Sequence, residues 1–231
     1  MPSSLWNAQG NAYLVVADEA VTAERARALT ADAGADGVLE VLAEGADRVE
    51  IAIWNPDGSR AEMSGNGTRI AASWLAERTG AERVTVCVGP REVRARLLDG
   101  GLVEQELGPV RVAAAEELDG VRVVPVDVGN PHAVVEGDPK ELPRLGPLLE
   151  VHPRFPHRTN VQVARVVGPG VIEARVWERG AGETASSGSS AVAVAAALGV
   201  SPATVRFPGG ELTVRLEGDR ALLTGPAERV G

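Results

Sequence analysis

Residues 54–72 read WNPDGSRAEMSGNGTRIAA, residues 177–195 read WERGAGETASSGSSAVAVA, and the two stretches align without a gap at a constant offset of 123. Self-similarity at a fixed period signals a duplicated architecture. In this alignment Ile53 meets Val176, Trp54 meets Trp177, Ser64 meets Ser187, Gly65 meets Gly188 and Ala72 meets Ala195. Both copies run from an alternating strand through a glycine-containing turn and a Ser-Gly step into an apolar helical run. The likeness resumes with a small shift where residues 92–97, EVRARL, answer residues 211–216, ELTVRL. Two similar halves follow, 1–108 and 109–231, divided at Gly108-Pro109, with the last strand free to return to the first half.

Elsewhere, short β-rich runs separated by Gly, Pro and Asp predict strands at 13–17, 49–54, 92–98, 121–126, 160–167 and 221–223. Helical periodicity is confined to 22–33, 65–78, 139–149 and 189–198. Each half is thus sheet around one apolar helix, an α+β fold. The run 189–198 is Ala and Val nearly all round, which suits a helix buried on every side.

A chain of 231 residues that is 44% apolar buries a large core without disulfides or metals. A net charge of −9, with neither sign gathered into a long block, argues against nucleic acid as a partner. The stretch from Met1 to Gly10 lacks a basic segment followed by an apolar one, so no secretory signal is read and a cytoplasmic location is expected. The longest apolar stretch, 191–200, is half of a membrane span, so no membrane partner is expected either. No metal site is predicted: there is no CxxC or HExxH, and His152 and His157 lack ligand-like spacing. Cys87, in the β-branched run 84–88, reads as inert core. Asp36-Gly37 and Asp57-Gly58 read as hairpin signals.

The chemistry concentrates at the duplicated helix starts. Ser64 and Ser187 are N-cap residues by type, and the glycines after them let a ligand approach exposed backbone N–H groups. Each start is a candidate anion site, with a dipole contribution of ~0.3–1 kcal/mol. Strand parity puts Ile172, Ala174, Val176 and Glu178 on one face, so Glu178 ends an apolar stripe. A carboxylate there is a general acid or base with a tuned pKa, a partner of Arg179, or a strand-end residue turned to solvent. Asn55 holds the matching position in the first half. Gly129-Asn130-Pro131-His132 is a turn that leads into a histidine able to titrate near neutrality.

These motifs resemble, in order and over almost the whole chain, the diaminopimelate epimerase family, part of the wider group of cofactor-independent amino-acid racemases that includes proline racemase. The most specific segments are 178–184 (ERGAGET), 129–134 (GNPHAV), 159–161 (TNV), 34–37 (GADG) and 65–67 (GNG). The resemblance implies two pseudo-symmetric halves, each a β-barrel-like sheet wrapped around a central helix, with a diaminopimelate-like substrate in the cleft between them. It also implies no cofactor and a tendency toward homodimers. By resemblance, Asn11, Asn55, Asn130, Asn160 and Arg179 hold the distal amino-acid end of the substrate. His132 and Glu178 assist at the reacting amino group, and the reacting carboxylate lies at Gly65, Asn66, Gly188 and Ser189.

The resemblance also carries one departure. The family works with two cysteines, and the matching positions here are Ser64 and Ser187. A thiol ionises from a reference pKa near ~8.5, whereas a hydroxyl is not meaningfully ionised at neutral pH without a strong base. Three readings stay open at this point. The chain is a serine form that interconverts LL- and meso-diaminopimelate slowly or not at all, an isomerase of another amino acid using His132 or Glu178 as base, or a non-catalytic amino-acid-binding protein.

Overall fold

The computed structural model describes residues 3–230. Met1, Pro2 and Gly231, the extremities of the two expected halves and of the N-terminal stretch read above, lie outside the described residues. Among the described residues the fold is α+β: four α-helices and a large sheet with parallel and antiparallel pairings. The helices are α1 (Ala23–Ala33), α2 (Gly65–Thr79), α3 (Leu142–Glu150) and α4 (Gly188–Ala197). The chain divides into two compact units, one running to Glu106 and taking up the chain again from Thr224, the other Leu107–Leu223. Both divisions fall inside strands, Leu102–Pro109 and Arg220–Pro226.

In the first unit, strand Asn11–Val16 leads through α1 to the parallel strand Gly37–Glu44, which pairs antiparallel with Arg48–Trp54. A hairpin to Arg60–Ala61 precedes α2, and Arg83–Val88 then pairs parallel with Arg48–Trp54. Ser64 starts α2 with extended backbone and accepts the Gly67 N–H, and Gly80 ends it in the left-handed conformation at φ 74°. Such a serine cap is worth ~1 kcal/mol, because it satisfies an N–H that has no partner inside the helix. Ile70, Ala72 and Leu75 of α2 are fully buried against Leu39, Val49 and Val86 of the surrounding strands.

The second unit repeats this scheme. Pro131–Glu136 pairs parallel with Asn160–Gly168, which pairs antiparallel with Val171–Glu178, and Ala203–Phe207 lies parallel to that strand. The register is repeated as well. Val38 opposite Trp54 becomes Val161 opposite Trp177, and Ile53 opposite Ala61 becomes Val176 opposite Thr184, all displaced by 123. Helix α4 is buried on every side, as its composition predicts: residues 191–195 have no exposed surface. Full burial of Val192 and Val194 favours folding by roughly 1.5–3 kcal/mol each.

Asp57-Gly58 forms the expected hairpin turn, with Gly58 at φ 79°. Asp36-Gly37 does not, and that expectation is corrected. Asp36 follows α1 and accepts the Ala12 N–H at 2.8 Å, while Gly37 opens a strand parallel to Asn11–Val16. The glycine is required by close approach. A Cβ at Gly37 would lie 2.6 Å from Cε1 of Tyr13 and 2.7 Å from the Trp54 carbonyl oxygen. Cys87 is buried in its strand, and burial pushes its thiol pKa up, so it stays unreactive.

Candidate active site

In the first unit the site is assembled around the start of α2. Ser64 Oγ accepts the Gly67 N–H at 3.0 Å and lies 3.1 Å from the Tyr13 hydroxyl. Asn66 is buried, and its Oδ1 accepts a 2.5 Å hydrogen bond from Nη2 of Arg69. Arg69 has no exposed surface, and burial lowers its pKa to about 10. It also donates to the Gly65 carbonyl at 3.5 Å and to the Pro226 carbonyl at 3.4 Å. The guanidinium thus places a positive charge beside the N-terminal turn, where the helix dipole already favours an anion. Asn11 opens its strand half-buried. Asn55 closes the hairpin turn, donating from Nδ2 to Ser59 Oγ at 2.9 Å.

In the second unit Glu178 ends its strand beyond the buried Ile172, Ala174 and Val176, as strand parity predicts. Burial raises its pKa, against a hydrogen bond from Ser187 that lowers it. Glu178 therefore turns to Ser187 and not to Arg179. Arg179 is exposed; it donates from Nη1 to the His157 carbonyl at 3.4 Å, and its backbone N–H donates to Asn160 Oδ1 at 2.9 Å. Asn160 Nδ2 donates in turn to the Pro131 carbonyl. Here one sequence expectation is corrected: Ser187 has the backbone of an N-cap but makes no side-chain cap hydrogen bond. Its hydroxyl is committed to the carboxyl group. Gly188 is buried and Ser189 half-buried at the same helix start.

His132 is 1% exposed, and burial lowers its pKa to about 3. Both ring nitrogens are engaged: Nδ1 lies 3.0 Å from Gln162 Nε2, and Nε2 lies 3.0 Å from Asn130 Oδ1. Gln162 Nε2 also donates to Ser190 Oγ at 2.9 Å. With the Gln162 amide as donor, Nδ1 accepts and Nε2–H donates to Asn130, a neutral tautomer satisfied on both sides. The ring braces the turn 129–131 against α4.

Sequence reasoning missed three groups that shape these sites: Tyr13, Arg69 and Glu150. Tyr13 had a signal. Gly10-Asn11-Ala12-Tyr13 matches Gly129-Asn130-Pro131-His132 at an offset of 119, and Tyr13 opposite Gly37 repeats His132 opposite Asn160. Glu150 had none, because it is one carboxylate at the end of α3. Its Oε2 accepts the Trp177 indole N–H at 2.8 Å and its Oε1 accepts the Gly180 N–H at 2.8 Å, which brackets Glu178 and Arg179. The Trp177 indole first, then the Gly180 amide and Arg158, hold the Glu150 carboxyl below its ordinary pKa. Its stabilising contribution is therefore complete above the ordinary carboxylate range and disappears as pH falls through the depressed value. Glu150→Ala leaves the indole N–H without its acceptor and is expected to cost about 1–3 kcal/mol in urea unfolding, with Glu150→Gln costing less.

The diaminopimelate epimerase family profile matches residues 7–112 and 124–230. A diaminopimelate epimerase of Synechococcus sp. (strain JA-3-3Ab) is 40% identical over 233 aligned positions, which cover 84% of this chain and 81% of that one. The chain belongs to the diaminopimelate epimerase family. Relatives in this family are cofactor-independent isomerases of lysine biosynthesis. The fold is shared more widely. A structure described as a predicted epimerase from Pseudomonas aeruginosa superposes with a TM-score of 0.78 at 17% identity, covering 99% of this chain and 96% of that one. A hydroxyproline epimerase from Agrobacterium vitis, with bound trans-4-hydroxy-L-proline, gives 0.70 at 18% identity, with coverages of 99% and 89%. Among the described residues of this diaminopimelate epimerase family member, no helix is long and apolar enough to cross a membrane, and no group of three His, Cys, Asp or Glu is placed to hold a metal ion.

Proposed function

We propose that this chain binds diaminopimelate and interconverts its LL and meso forms by proton transfer at the α-carbon, with Ser64 and Ser187 standing in for the two thiols and turnover correspondingly slow. The observation that carries this reading is that each duplicated helix start, at α2 and at α4, presents a serine hydroxyl. Each unit is read as a barrel-like sheet around its central helix, and both helix starts act on the same substrate. The reacting carboxylate is held by the backbone N–H groups of residues 65–66 and 188–189. Asn11, Asn55, Asn130, Asn160 and Arg179 read the distal ammonium and carboxylate, for which a guanidinium fork and amide donor-acceptor pairs are suited. In this reading the working form is a homodimer in the cytoplasm.

The α-C–H bond breaks with its electron pair left on carbon, the proton passes to one side, and the opposite side delivers a new proton to the carbanion. Hydroxyls do this poorly, since loss of one positioned acid or base costs roughly 10²–10⁴ in rate. Glu178 supports the serine reading: burial raises the proton affinity of its carboxylate, and the Ser187 hydroxyl bonds to that carboxylate, so the ionised form is placed to take a proton passed through Ser187. His132 is held neutral as a brace.

The test is calorimetric binding of LL-diaminopimelate together with deuterium wash-in at its α-carbon in heavy water. Binding with slow exchange is expected. Exchange confined to some other amino acid, or absence of diaminopimelate binding, overturns the reading.

A further inference from the structure

The two helix-start hydroxyls do not have equivalent neighbours. Ser187 is hydrogen-bonded to the Glu178 carboxyl. Asn55, the first-unit counterpart of Glu178, is occupied with Ser59 in its own turn. Ser64 lies instead 3.1 Å from a phenol, the Tyr13 hydroxyl. Ser64 Oγ accepts the Gly67 N–H and has a second acceptor site for the Tyr13 hydroxyl, which leaves its own O–H to donate elsewhere. The ring is held in place by design of the strands. Tyr13 stands opposite Gly37 in a parallel pair, and a Cβ at Gly37 would lie 2.6 Å from the ring. In the second unit the same register position carries His132, whose nitrogens are taken by Gln162 and Asn130 and not by Ser187.

We propose that Tyr13 is the proton-relay residue of Ser64, a positioning residue that serves the Ser64 side when that side delivers the proton, in one direction of the interconversion. The inference rests on the isomerase reading above. As the Ser64 O–H bond breaks and its proton forms the new C–H bond, the Tyr13 O–H bond breaks and its proton re-forms the Ser64 hydroxyl. The charge comes to rest on the phenolate, which water reprotonates. No oxidant or co-reactant is needed. Delivery through a phenol, with a reference pKa near ~10, avoids leaving a serine alkoxide behind. In that direction the base side is Ser187 with Glu178; in the reverse direction the same relay runs backwards, with the Tyr13 phenolate taking the proton through Ser64.

Two measurements test this. In the serine chain, Tyr13→Phe is expected to lower α-deuterium exchange of diaminopimelate by at least about tenfold with binding affinity unchanged. Independently of turnover, the Ser64→Cys variant is titrated by ultraviolet thiolate absorbance with and without Tyr13→Phe, in a Cys87→Ala background. Loss of the phenol hydrogen bond is expected to raise the thiol midpoint. An unchanged midpoint overturns the relay, and so does unaltered exchange in the Tyr13→Phe serine chain. Absence of exchange in every variant sinks the diaminopimelate reading by itself, and the thiol titration still decides whether Tyr13 exchanges protons with position 64.

Discussion

Ser64→Cys combined with Ser187→Cys raises α-deuterium incorporation into diaminopimelate by about 10²-fold or more, measured by proton NMR in heavy water. The reason is the difference between the two side chains in one electrostatic setting. A thiol starts from a reference pKa near ~8.5, and helix N-termini lower it further, so a usable fraction is thiolate near neutrality. At position 64 the buried Arg69 guanidinium adds positive charge within the first turn of α2. A hydroxyl in the same place gains little, because it is not ionised to begin with. The cost to the fold is small: Ser64 gives up its cap to the Gly67 N–H, at ~1 kcal/mol, whereas Ser187 has no cap to lose. Each single variant is expected to recover less than the pair, since both faces of the carbanion must be served. An exchange rate in the double variant equal to that of the serine chain would refute the assignment of these two residues.

Acid unfolding provides the second large effect, through His132. Its ordinary pKa is 6.5 and burial lowers it to about 3 in the folded chain. The unfolded chain therefore binds a proton that the folded chain refuses throughout the interval from 6.5 down to about 3. Stability contributed by the neutral ring is complete above 6.5 and is lost as pH falls through that interval, at roughly 1.4 kcal/mol per pH unit and a few kcal/mol in all. His132→Gln removes this slope while keeping an amide able to bond Gln162 and Asn130. Urea unfolding at stepped pH should show the wild type losing stability more steeply than the variant below 6.5. Equal slopes would show that the ring is not held neutral. The same burial implies that the pH profile of exchange has no inflection at the ordinary histidine pKa.

Reading the chain along its length reached the four helices and strands such as 49–54, 92–98 and 160–167, because each is encoded by neighbours in sequence, and the duplication, because the two stretches align; it did not reach the strands Gly37–Glu44 and Leu102–Pro109. Period-3.6 and period-2 patterns and a Ser-Gly step are local signals. The face carrying Glu178 followed from parity alone. The same reasoning misread Asp36-Gly37, where residue types typical of a turn serve a close approach between Tyr13, Gly37 and Trp54. It also treated Ser64 and Ser187 as the same device, although one caps its helix and the other bonds a carboxyl group.

The amino-acid sequence alone determined that this protein is a doubled α+β chain with a hydroxyl at each duplicated helix start, since a repeat is visible by laying one stretch of sequence on another and capping residues act within a few positions. Only the tertiary structure decided what faces those hydroxyls and which charges are desolvated. Tyr13 reaches Ser64 across 51 residues, Glu150 reaches Trp177 across 27, and Arg69 reaches the Pro226 carbonyl across 157. A hydrogen bond needs its partners within about 3 Å, and a pKa responds to the water excluded around the group. Both are set by which strands become neighbours, a property of the folded chain that no local pattern contains.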